Sequence, residues 1–323
     1  MIYGSFSIQV SCIIVNIFRQ FEGGLTGLLT KPFPSILARK TYLARGRMQK
    51  ALGPYYEAKH DLHPDASELA RGRANVLREF GFTGTEIGQV DSFLPIVGTT
   101  NSAPMMYWMI CNLFARPDLI LTLREEVLPL ISRSEKGDDI VSVDLNRLEA
   151  ESPLLVSCYR ETLRLANYNV SVRRVLDDTN ISDGQGRSYL LKKGVDVQIG
   201  GAVMHVNKQV WGPDAHIFKP ERFTTSSKDN VGDRTKRTAY IPFGGGQHLC
   251  PGRNFAFAEI LAVSCALVLG FELENVGMAF DDMRLATAAL GNATYKPRDW
   301  GKGLGVKIRR RAGWENVKWR FKA

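Results

Sequence analysis

The sequence predicts a mainly α-helical fold with small β-sheets, an α+β protein whose helices come first along the chain. Up to about residue 168 apolar residues recur at helical spacing. After that point, short runs rich in β-branched residues alternate with glycine-containing turns. With 323 residues, 44% of them hydrophobic, the chain can bury a large core. We therefore expect one domain over residues 1–323, helix-rich over 1–168 and strand-rich over 169–323.

Helical spacing and start signals place the elements of the first half. The run MIYGSFSIQVSCIIVNIF is apolar but short and has no basic leader, so we expect a buried helix without a signal peptide or a clear membrane anchor. Helices are also predicted over 34–59, over 83–116 with one interruption between Gly98 and Pro104, and from Pro117 onward.

Turn signals divide the second half into short strands. The sequences DGQG and KKG separate predicted strands over 171–178, 188–194 and 195–204. A long apolar helix is predicted over 254–270, and a closing strand over 305–311. The sequence shows no internal repeat.

Charge and cysteine content narrow the class of partner and the compartment. The net charge is +9, spread along the chain with a late cluster at 307–311, and neither a zinc-finger spacing nor an aromatic RNA-binding signature is present. We expect no nucleic acid, but an acidic protein partner or a membrane surface. The five cysteines are widely separated without a CxxC pair, which predicts a reducing, intracellular compartment.

One cysteine lies in a glycine-rich loop, FGGGQHLCPG, residues 243–252. Glycines let the backbone take unusual conformations and let a flat ligand approach closely. The dipole of the apolar helix that follows favours a negative sulfur. A planar cofactor on one axial thiolate is haem. The alternative is that Cys250 is an inert core cysteine, but the spacing Phe-x-x-Gly-x-x-x-Cys-x-Gly is specific enough to favour a ligand.

This loop resembles that of the cytochrome P450 family of haem-thiolate monooxygenases. Phe243, Gly246, Cys250 and Gly252 match the family's pattern. The resemblance implies that Cys250 is the axial ligand of the iron of haem b and that the other three shape the cofactor-binding loop. The fold implied is the cytochrome P450 fold. Because the match begins near residue 34 and covers only the C-terminal part of the family's catalytic domain, we expect an N-terminally truncated form of it.

The family's Glu-x-x-Arg signature is matched in CYRETLRL by Glu161 and Arg164, and FKPERF contributes Arg222. A second copy, Glu68 and Arg71, shows that the short motif alone is weak, since such a pair is often a surface ion pair. Chain order selects the later copy. The resemblance implies that Glu161, Arg164 and Arg222 form a buried triad behind the haem.

Two cationic side chains match family positions that contact haem propionates. They are Arg173 in SVRRV and His248, two residues before the cysteine. A guanidinium suits a carboxylate well. Taken alone, each would be read as a surface cation.

The interrupted helix carries the candidate catalytic residues. The family usually has Gly, then an acid, then Thr there, whereas here Gly98 is followed by Thr100 in place of the acid and Asn101 in place of the threonine. Asn101 with Ser102 and Pro104 resembles the sterol 7α-/12α-hydroxylase and prostacyclin synthase branch. Neither side chain titrates near neutral pH, so we expect them to position ordered water. The alternative is that Asn101 only bridges a backbone distortion.

The resemblance implies insertion of one oxygen atom from O2 into a lipophilic substrate, sterol- or terpenoid-like. It implies electrons from NADPH through a separate NADPH–cytochrome P450 reductase, whose acidic surface suits the positive charge of this chain. The full-length form is expected at the surface of the endoplasmic reticulum, with peripheral membrane contact. The alternatives are an O2-independent isomerase or dehydratase, and a truncated inactive remnant.

Overall fold

A computed structural model describes residues 12–134, 139–224, 234–274, 293–296 and 306–322. These residues divide into two compact units, one formed by the described chain up to Thr100 and the other from Asn101 onward. Helices dominate both units and four small sheets lie in the second, which confirms the predicted α+β class. That residues 1–323 act as one domain stays a prediction.

The first unit is helical throughout its described residues. Its helices are α1 (Cys12–Gly23), α2 (Leu25–Thr30), α3 (Pro34–Leu37), α4 (Arg39–Glu57), α5 (Glu68–Glu79), α6 (Gly84–Asp91) and α7 (Leu94–Thr99), with a 3-10 turn at His60–Leu62. Helices α4 and α6 approach so closely that a Cβ atom added at Gly88 would lie 2.5 Å from the backbone nitrogen of Gly53. Tyr56 and Ile87 pack in the core between them.

The second unit contains the remaining helices and a large apolar core. The helices are α8 (Ser102–Phe114), α9 (Pro117–Val127), α10 (Leu148–Glu151), α11 (Pro153–Ala166), α12 (Gly201–His205), α13 (Lys208–Trp211), α14 (Arg234–Ala239) and α15 (Arg253–Gly270). Short 3-10 turns occupy Leu128–Leu130, Leu145–Arg147 and Gly246–His248. Trp108, Leu123, Leu155 and Leu261 join α8, α9, α11 and α15 in one core.

The strands of the second unit are short. They are β1 (Ile131–Arg133), β2 (Ile140–Asp144), β3 (Val170–Arg174), β4 (Thr179–Ser182), β5 (Ser188–Leu191), β6 (Asp196–Gly200), β7 (Phe271–Glu274), β8 (Lys307–Arg310) and β9 (Lys318–Lys322). Strand β2 lies between β1, which is antiparallel to it, and β9, which is parallel. The other strands form the antiparallel pairs β3–β6, β4–β5 and β7–β8.

The structure departs from the predicted elements at several points. Strands β1 and β2 lie in the half that was predicted helical. The helix expected over 83–116 has two interruptions, at Ser92–Phe93 and at Thr100–Asn101, instead of one. Pro95 is the second residue of α7, in the first turn after this break, where its missing N–H costs no hydrogen bond. The predicted strand over 195–204 ends in helix α12.

Candidate functional site

Cys250 differs from the other described cysteines in its exposure. Cys111, Cys158 and Cys265 are fully buried in the apolar core. Burial raises the pKa of the Cys111 and Cys265 thiols to about 12, which makes them unreactive. Cys250 is only partly buried. Its exposure argues against an inert core cysteine and leaves its sulfur accessible to a ligand.

Backbone hydrogen bonds and two left-handed glycines shape the loop around Cys250. The N–H of Cys250 donates to the carbonyl of Phe243 at 3.0 Å, which closes the loop. Gly244 and Gly246 have φ angles of +75° and +64°, which favour glycine over residues with a Cβ atom. A Cβ atom at Gly246 would meet no other atom within 4 Å, so conformation and not crowding explains this glycine.

Three side chains on the segment after α11 hydrogen-bond backbone carbonyl groups of the loop and of the two residues before it. Asn167 Nδ2 donates to the Pro242 carbonyl at 2.8 Å, and Asn169 Nδ2 donates to that of Ile241 at 2.9 Å. From β3, Arg173 Nη2 donates to the Gly245 carbonyl at 2.9 Å.

The expected triad is buried and paired. Glu161 and Arg164, on α11, form two hydrogen bonds of 2.7 and 2.8 Å, and Arg222 Nε donates to Glu161 Oε1 at 2.9 Å. All three are at most 1% exposed. The remaining guanidinium nitrogens donate to backbone carbonyls, among them those of Trp211 and Asp214. The charges are therefore satisfied, as a buried ion pair requires.

The second Glu-x-x-Arg copy behaves as a surface pair. Arg71 pairs with Glu68 one turn earlier on α5, and the Glu68 side chain is 87% exposed. This pair belongs to the first unit, whereas the residues that contact the loop belong to the second.

His205 connects the triad to the loop. Its carbonyl accepts a hydrogen bond from Arg164, and its Nε2 atom accepts from the backbone N–H of Ile241. Burial, together with the charge of Arg164, lowers the pKa of His205 from 6.5 to about 4, so the imidazole is neutral at pH 7. No local sequence pattern indicates this role, because a lone histidine is ordinarily a core or surface residue.

The other predicted residues of the loop differ in burial. Phe243 is partly buried and packs against the main core. His248 ends the 3-10 turn and is exposed. A Cβ atom at Gly252 would lie 3.8 Å from Cys250 Sγ, an ordinary contact distance. Contacts of His248 and Arg173 with propionates stay predictions.

Asn101 has a tertiary partner that was not predicted. Its Oδ1 atom accepts a hydrogen bond from the backbone N–H of Ala293 at 2.8 Å. Trp108 Nε1 donates to the carbonyl of Tyr295, whose own N–H donates to Ala166. Asn101 thus attaches residues 293–296 to α8 and does more than bridge a local distortion. The hydroxyl of Thr100 is buried without a hydrogen-bond partner in the described chain.

A carboxyl group near the start of α8 was also missed. The hydroxyl of Ser102 hydrogen-bonds Glu259 on α15. Burial raises the pKa of Glu259 above its ordinary value, and the Ser102 hydrogen bond offsets part of this rise. The sequence offered one signal, an acidic residue in the otherwise apolar helix 254–270.

A partly exposed cysteine in a closed glycine loop, linked through His205 to a buried Glu–Arg–Arg cluster, is the arrangement that the sequence predicts for a thiolate ligand site. A family model for cytochrome P450 matches residues 65–292, so the chain belongs to the cytochrome P450 family.

Individual relatives agree with this assignment. The chain is 38% identical over 304 residues to a cytochrome P450 monooxygenase of Gibberella zeae, covering 93% of this chain and 58% of the relative. It is 29% identical over 255 residues to the 25-hydroxycholesterol 7-alpha-hydroxylase of Rattus norvegicus, covering 77% of this chain and 60% of that enzyme. The chain therefore spans about 60% of the length of these relatives.

A solved structure shares the fold. A crystal structure of a cytochrome P450 superposes with a TM-score of 0.66 at 22% sequence identity, covering 92% of this chain and 64% of that one. At this identity the likeness concerns the fold alone.

The residues present fit the haem group that the family implies. The sulfur of Cys250 is the soft thiolate donor that such iron accepts. Open space beside Gly245 and Gly246, where an added Cβ atom would meet nothing within 4 Å, leaves room for a flat ligand. The cationic Arg173 lies on β3 beside Gly245.

Proposed function

We propose that the protein is a haem-thiolate monooxygenase with Cys250 as the axial ligand of haem b. The observation that carries the proposal is the partly exposed Cys250 in a loop that Arg173 binds at Gly245, and that Asn167 and Asn169 bind just before its first residue. Bound haem would supply the activation of O2 and insertion of one oxygen atom into an organic substrate.

The protein's own residues fix and polarise the ligand. The closed loop and the N-terminus of α15, which begins at Arg253, stabilise a negative sulfur at Cys250. Arg173 and His248 would bind the haem propionates. The triad of Glu161, Arg164 and Arg222 holds the loop in place through His205, so its members act by positioning and do not touch the reacting atoms.

A carbon monoxide difference spectrum of the reduced protein tests the assignment. We expect the Soret band that is diagnostic of thiolate ligation in the parent protein and its loss in Cys250→Ala. Cys158→Ala, at a fully buried cysteine, is the matched control and should keep the band. A folded parent without the band would instead support the inactive remnant.

The substrate class is proposed to be lipophilic, sterol- or terpenoid-like. Similarity to a 25-hydroxycholesterol 7-alpha-hydroxylase supports it, as does the Asn101–Ser102–Pro104 sequence. Type I spectral shifts on addition of sterols, with linear fatty acids as the comparison, test this class. A shift with fatty acids alone would contradict it.

An O2-independent isomerase or dehydratase is the second candidate. The observation that favours it is the pair Thr100 and Asn101, since neither side chain titrates near neutral pH. Product formation from an organic peroxide substrate without NADPH would support this candidate. Strict dependence on NADPH and O2 would support the monooxygenase.

The proposed electron donor is NADPH–cytochrome P450 reductase. The net charge of +9 suits an acidic partner, and Arg253 is an exposed cation three residues from Cys250 whose Nη1 donates to the Cys250 carbonyl. Arg253→Glu should slow haem reduction by the reductase. Arg47→Glu, at an exposed arginine of the first unit, serves as the charge-matched control and should leave the rate of haem reduction unchanged.

Peripheral membrane contact at the endoplasmic reticulum is the last part of the proposal. Helices α2 and α3 expose Leu29, Phe33 and Ile36, which are 69%, 74% and 71% exposed, beside the exposed cations Lys31, Arg39 and Lys40. An apolar tip flanked by cations suits an anionic lipid surface. Within the described residues α15 is the one helix long and apolar enough to cross a membrane, and it contributes to the core.

Flotation with vesicles tests this contact. We expect binding to phosphatidylserine-containing vesicles and loss of binding in Phe33→Ser/Ile36→Ser. Phe80→Ser, at a 78% exposed residue of the same unit, is the control. Equal loss in both variants would contradict the assignment to α2 and α3.

A further inference from the structure

A groove between α11 and the start of α15 has so far been given no role. It has a volume of about 280 Å³. Aromatic and cationic side chains make up most of its lining, among them Tyr159, Arg160, Tyr240, Phe243, Arg253 and Phe257. Of the residues proposed to hold haem, only Phe243 lines this groove. The groove is therefore a candidate site of its own.

The hydroxyl group of Tyr159 is a buried donor in this groove. Tyr159 lies on α11 and is 3% exposed, and its ring packs edge-on against that of Phe257 at a centroid distance of 5.5 Å. Its hydroxyl makes no hydrogen bond within the described chain. Burial raises the pKa of Tyr159, so the hydroxyl keeps its proton at pH 7 and remains a donor. A buried donor without an acceptor costs free energy, which a bound acceptor would recover.

The second tyrosine of the groove has a partner of its own. The hydroxyl of Tyr240 donates to the backbone carbonyl of Arg160 at 3.1 Å. Of the two tyrosines that line the groove, only Tyr159 therefore offers an O–H group to a ligand.

The charges around the groove favour a negative acceptor. Arg160 is neutralised by Glu149, to which its Nη2 atom donates. Arg253 is exposed and donates to the carbonyl of Cys250, and no carboxylate pairs with it among the described residues. Arg253 and Asn254 also begin the 18-residue helix α15, and the N-terminus of a helix favours negative charge. A cation, a helix N-terminus and a buried O–H donor together suit a carboxylate.

The other walls of the groove are apolar. Leu163, Phe243 and Phe257 contribute to them. Such walls suit an aromatic or aliphatic body, with the polar groups fixing its orientation. The volume lies just below the range of about 300–1,000 Å³ that is typical of small-molecule sites, so the ligand must be small.

We propose that this groove binds a small organic carboxylate with an aromatic or short aliphatic body. Tyr159 donates its O–H to a carboxylate oxygen, Arg253 neutralises the charge, and the body packs against Phe243 and Phe257. Because Arg253 is also the proposed contact for the reductase, a bound carboxylate should slow haem reduction. This last step rests on the proposed function, whereas binding itself does not.

Isothermal titration calorimetry with phenylacetate tests the site without haem or reductase. We expect phenylacetate to bind more tightly than neutral phenylacetamide, and Tyr159→Phe to weaken its binding about tenfold. Tyr107→Phe is the matched control and should leave the affinity unchanged, because the hydroxyl of Tyr107 hydrogen-bonds Cys111 within α8. Equal affinity of the parent and Tyr159→Phe, or no binding at millimolar phenylacetate, would overturn the proposal.

Tyr159→Phe keeps the ring and removes no hydrogen bond, so its urea midpoint should equal or exceed that of the parent. If this variant nevertheless fails to fold, NMR of the parent protein still decides. Phenylacetate should shift the backbone amide signals of Arg253 and Asn254 and leave those of strand β8 unchanged. Unshifted signals at the start of α15 would overturn the proposal.

An acidic side chain of the reductase has the same chemistry as a free carboxylate, and reduction kinetics distinguish the two. In the haem-loaded protein, phenylacetate should slow haem reduction by the reductase in the parent and much less in Tyr159→Phe. If phenylacetate leaves the parent's rate unchanged while Tyr159→Phe alone is slower, the groove holds a side chain of the reductase and the proposal is wrong. Failure of the monooxygenase proposal would appear separately, as a missing thiolate band in the carbon monoxide spectrum.

Discussion

The Nε2 atom of His205 accepts a hydrogen bond from the backbone N–H of Ile241 at 3.0 Å, two residues before the cysteine loop. A protonated imidazole has no lone pair to accept this bond. The contact therefore links the protonation state of one buried histidine to the attachment of the loop.

Acid should weaken the fold through His205. Its pKa is about 4 in the folded chain and 6.5 ordinarily, so between these pH values the unfolded state binds the additional proton. Stability present above pH 6.5 is lost as the pH falls toward 4, by roughly 3 kcal/mol if the full shift applies. Urea unfolding across this range should show a smaller loss in His205→Gln. His216→Gln, at an exposed histidine, is the control. If the free energy of unfolding falls with pH equally in the parent and in His205→Gln, His205 is not the cause of the acid sensitivity.

Removing the triad carboxylate should destabilise the protein far more than removing its surface counterpart. Glu161→Ala leaves Arg164 buried without a counter-charge and leaves Arg222 with Asp214 as its carboxylate partner, at a cost of about 3–5 kcal/mol. Glu68→Ala removes an exposed pair and should cost about 1 kcal/mol or less. Urea unfolding measures both, and haem content should fall only in Glu161→Ala. Normal haem content with slow turnover in that variant would argue against a positioning role.

Alanine substitutions at two neighbouring glycines distinguish backbone strain from steric crowding as the reason for a glycine in the loop. An added Cβ atom meets nothing within 4 Å at either Gly245 or Gly246, but only Gly246 has a left-handed φ, at +64°. Gly246→Ala should cost about 1–2 kcal/mol and reduce haem retention. Gly245→Ala, where the backbone is extended with φ −171°, should be tolerated. Equal stability of the two variants would contradict this explanation.

Asn101 should be needed both for the hydrogen bond to Ala293 and for the coupling of NADPH oxidation to product formation. Asn101→Ala removes the acceptor of the Ala293 N–H, at a cost of about 1 kcal/mol, and should speed hydrogen exchange at that amide. Asn101→Asp keeps the acceptor and should keep the protection. Asn101→Thr and Asn101→Ala should also change the fraction of NADPH electrons that reach product. If both variants deliver the same fraction of NADPH electrons to product as the parent, the role of Asn101 is structural only.

Much of the fold and the cysteine loop could be predicted from local sequence. The α9 start at Pro117, the apolar α15 and the strands β5 and β6 follow from start signals, periodicity and turn glycines, which act within a few residues. Strand β2 was missed because its pairing with β9 joins segments far apart in the chain.

The attachments of the site could be predicted only where a motif marked them. Glu161, Arg164 and Arg222 stood in recognisable motifs. His205 and Asn167 have ordinary sequence surroundings, and Glu259 was marked only as an acidic residue in an apolar helix. Their partners at Ile241, Pro242 and Ser102 are distant along the chain. Such contacts depend on tertiary packing, which local patterns do not contain.

The loop's binding through carbonyl oxygens has a consequence for how its sequence can change. Asn167, Asn169 and Arg173 contact the C=O groups of Pro242, Ile241 and Gly245, an atom pair that all twenty amino acids possess. Side chains at 241 and 242 can therefore be exchanged without removing the carbonyl oxygens that accept these hydrogen bonds. Evolution and protein engineers are thus free to vary the surroundings of the thiolate at these positions while its attachment to the fold persists.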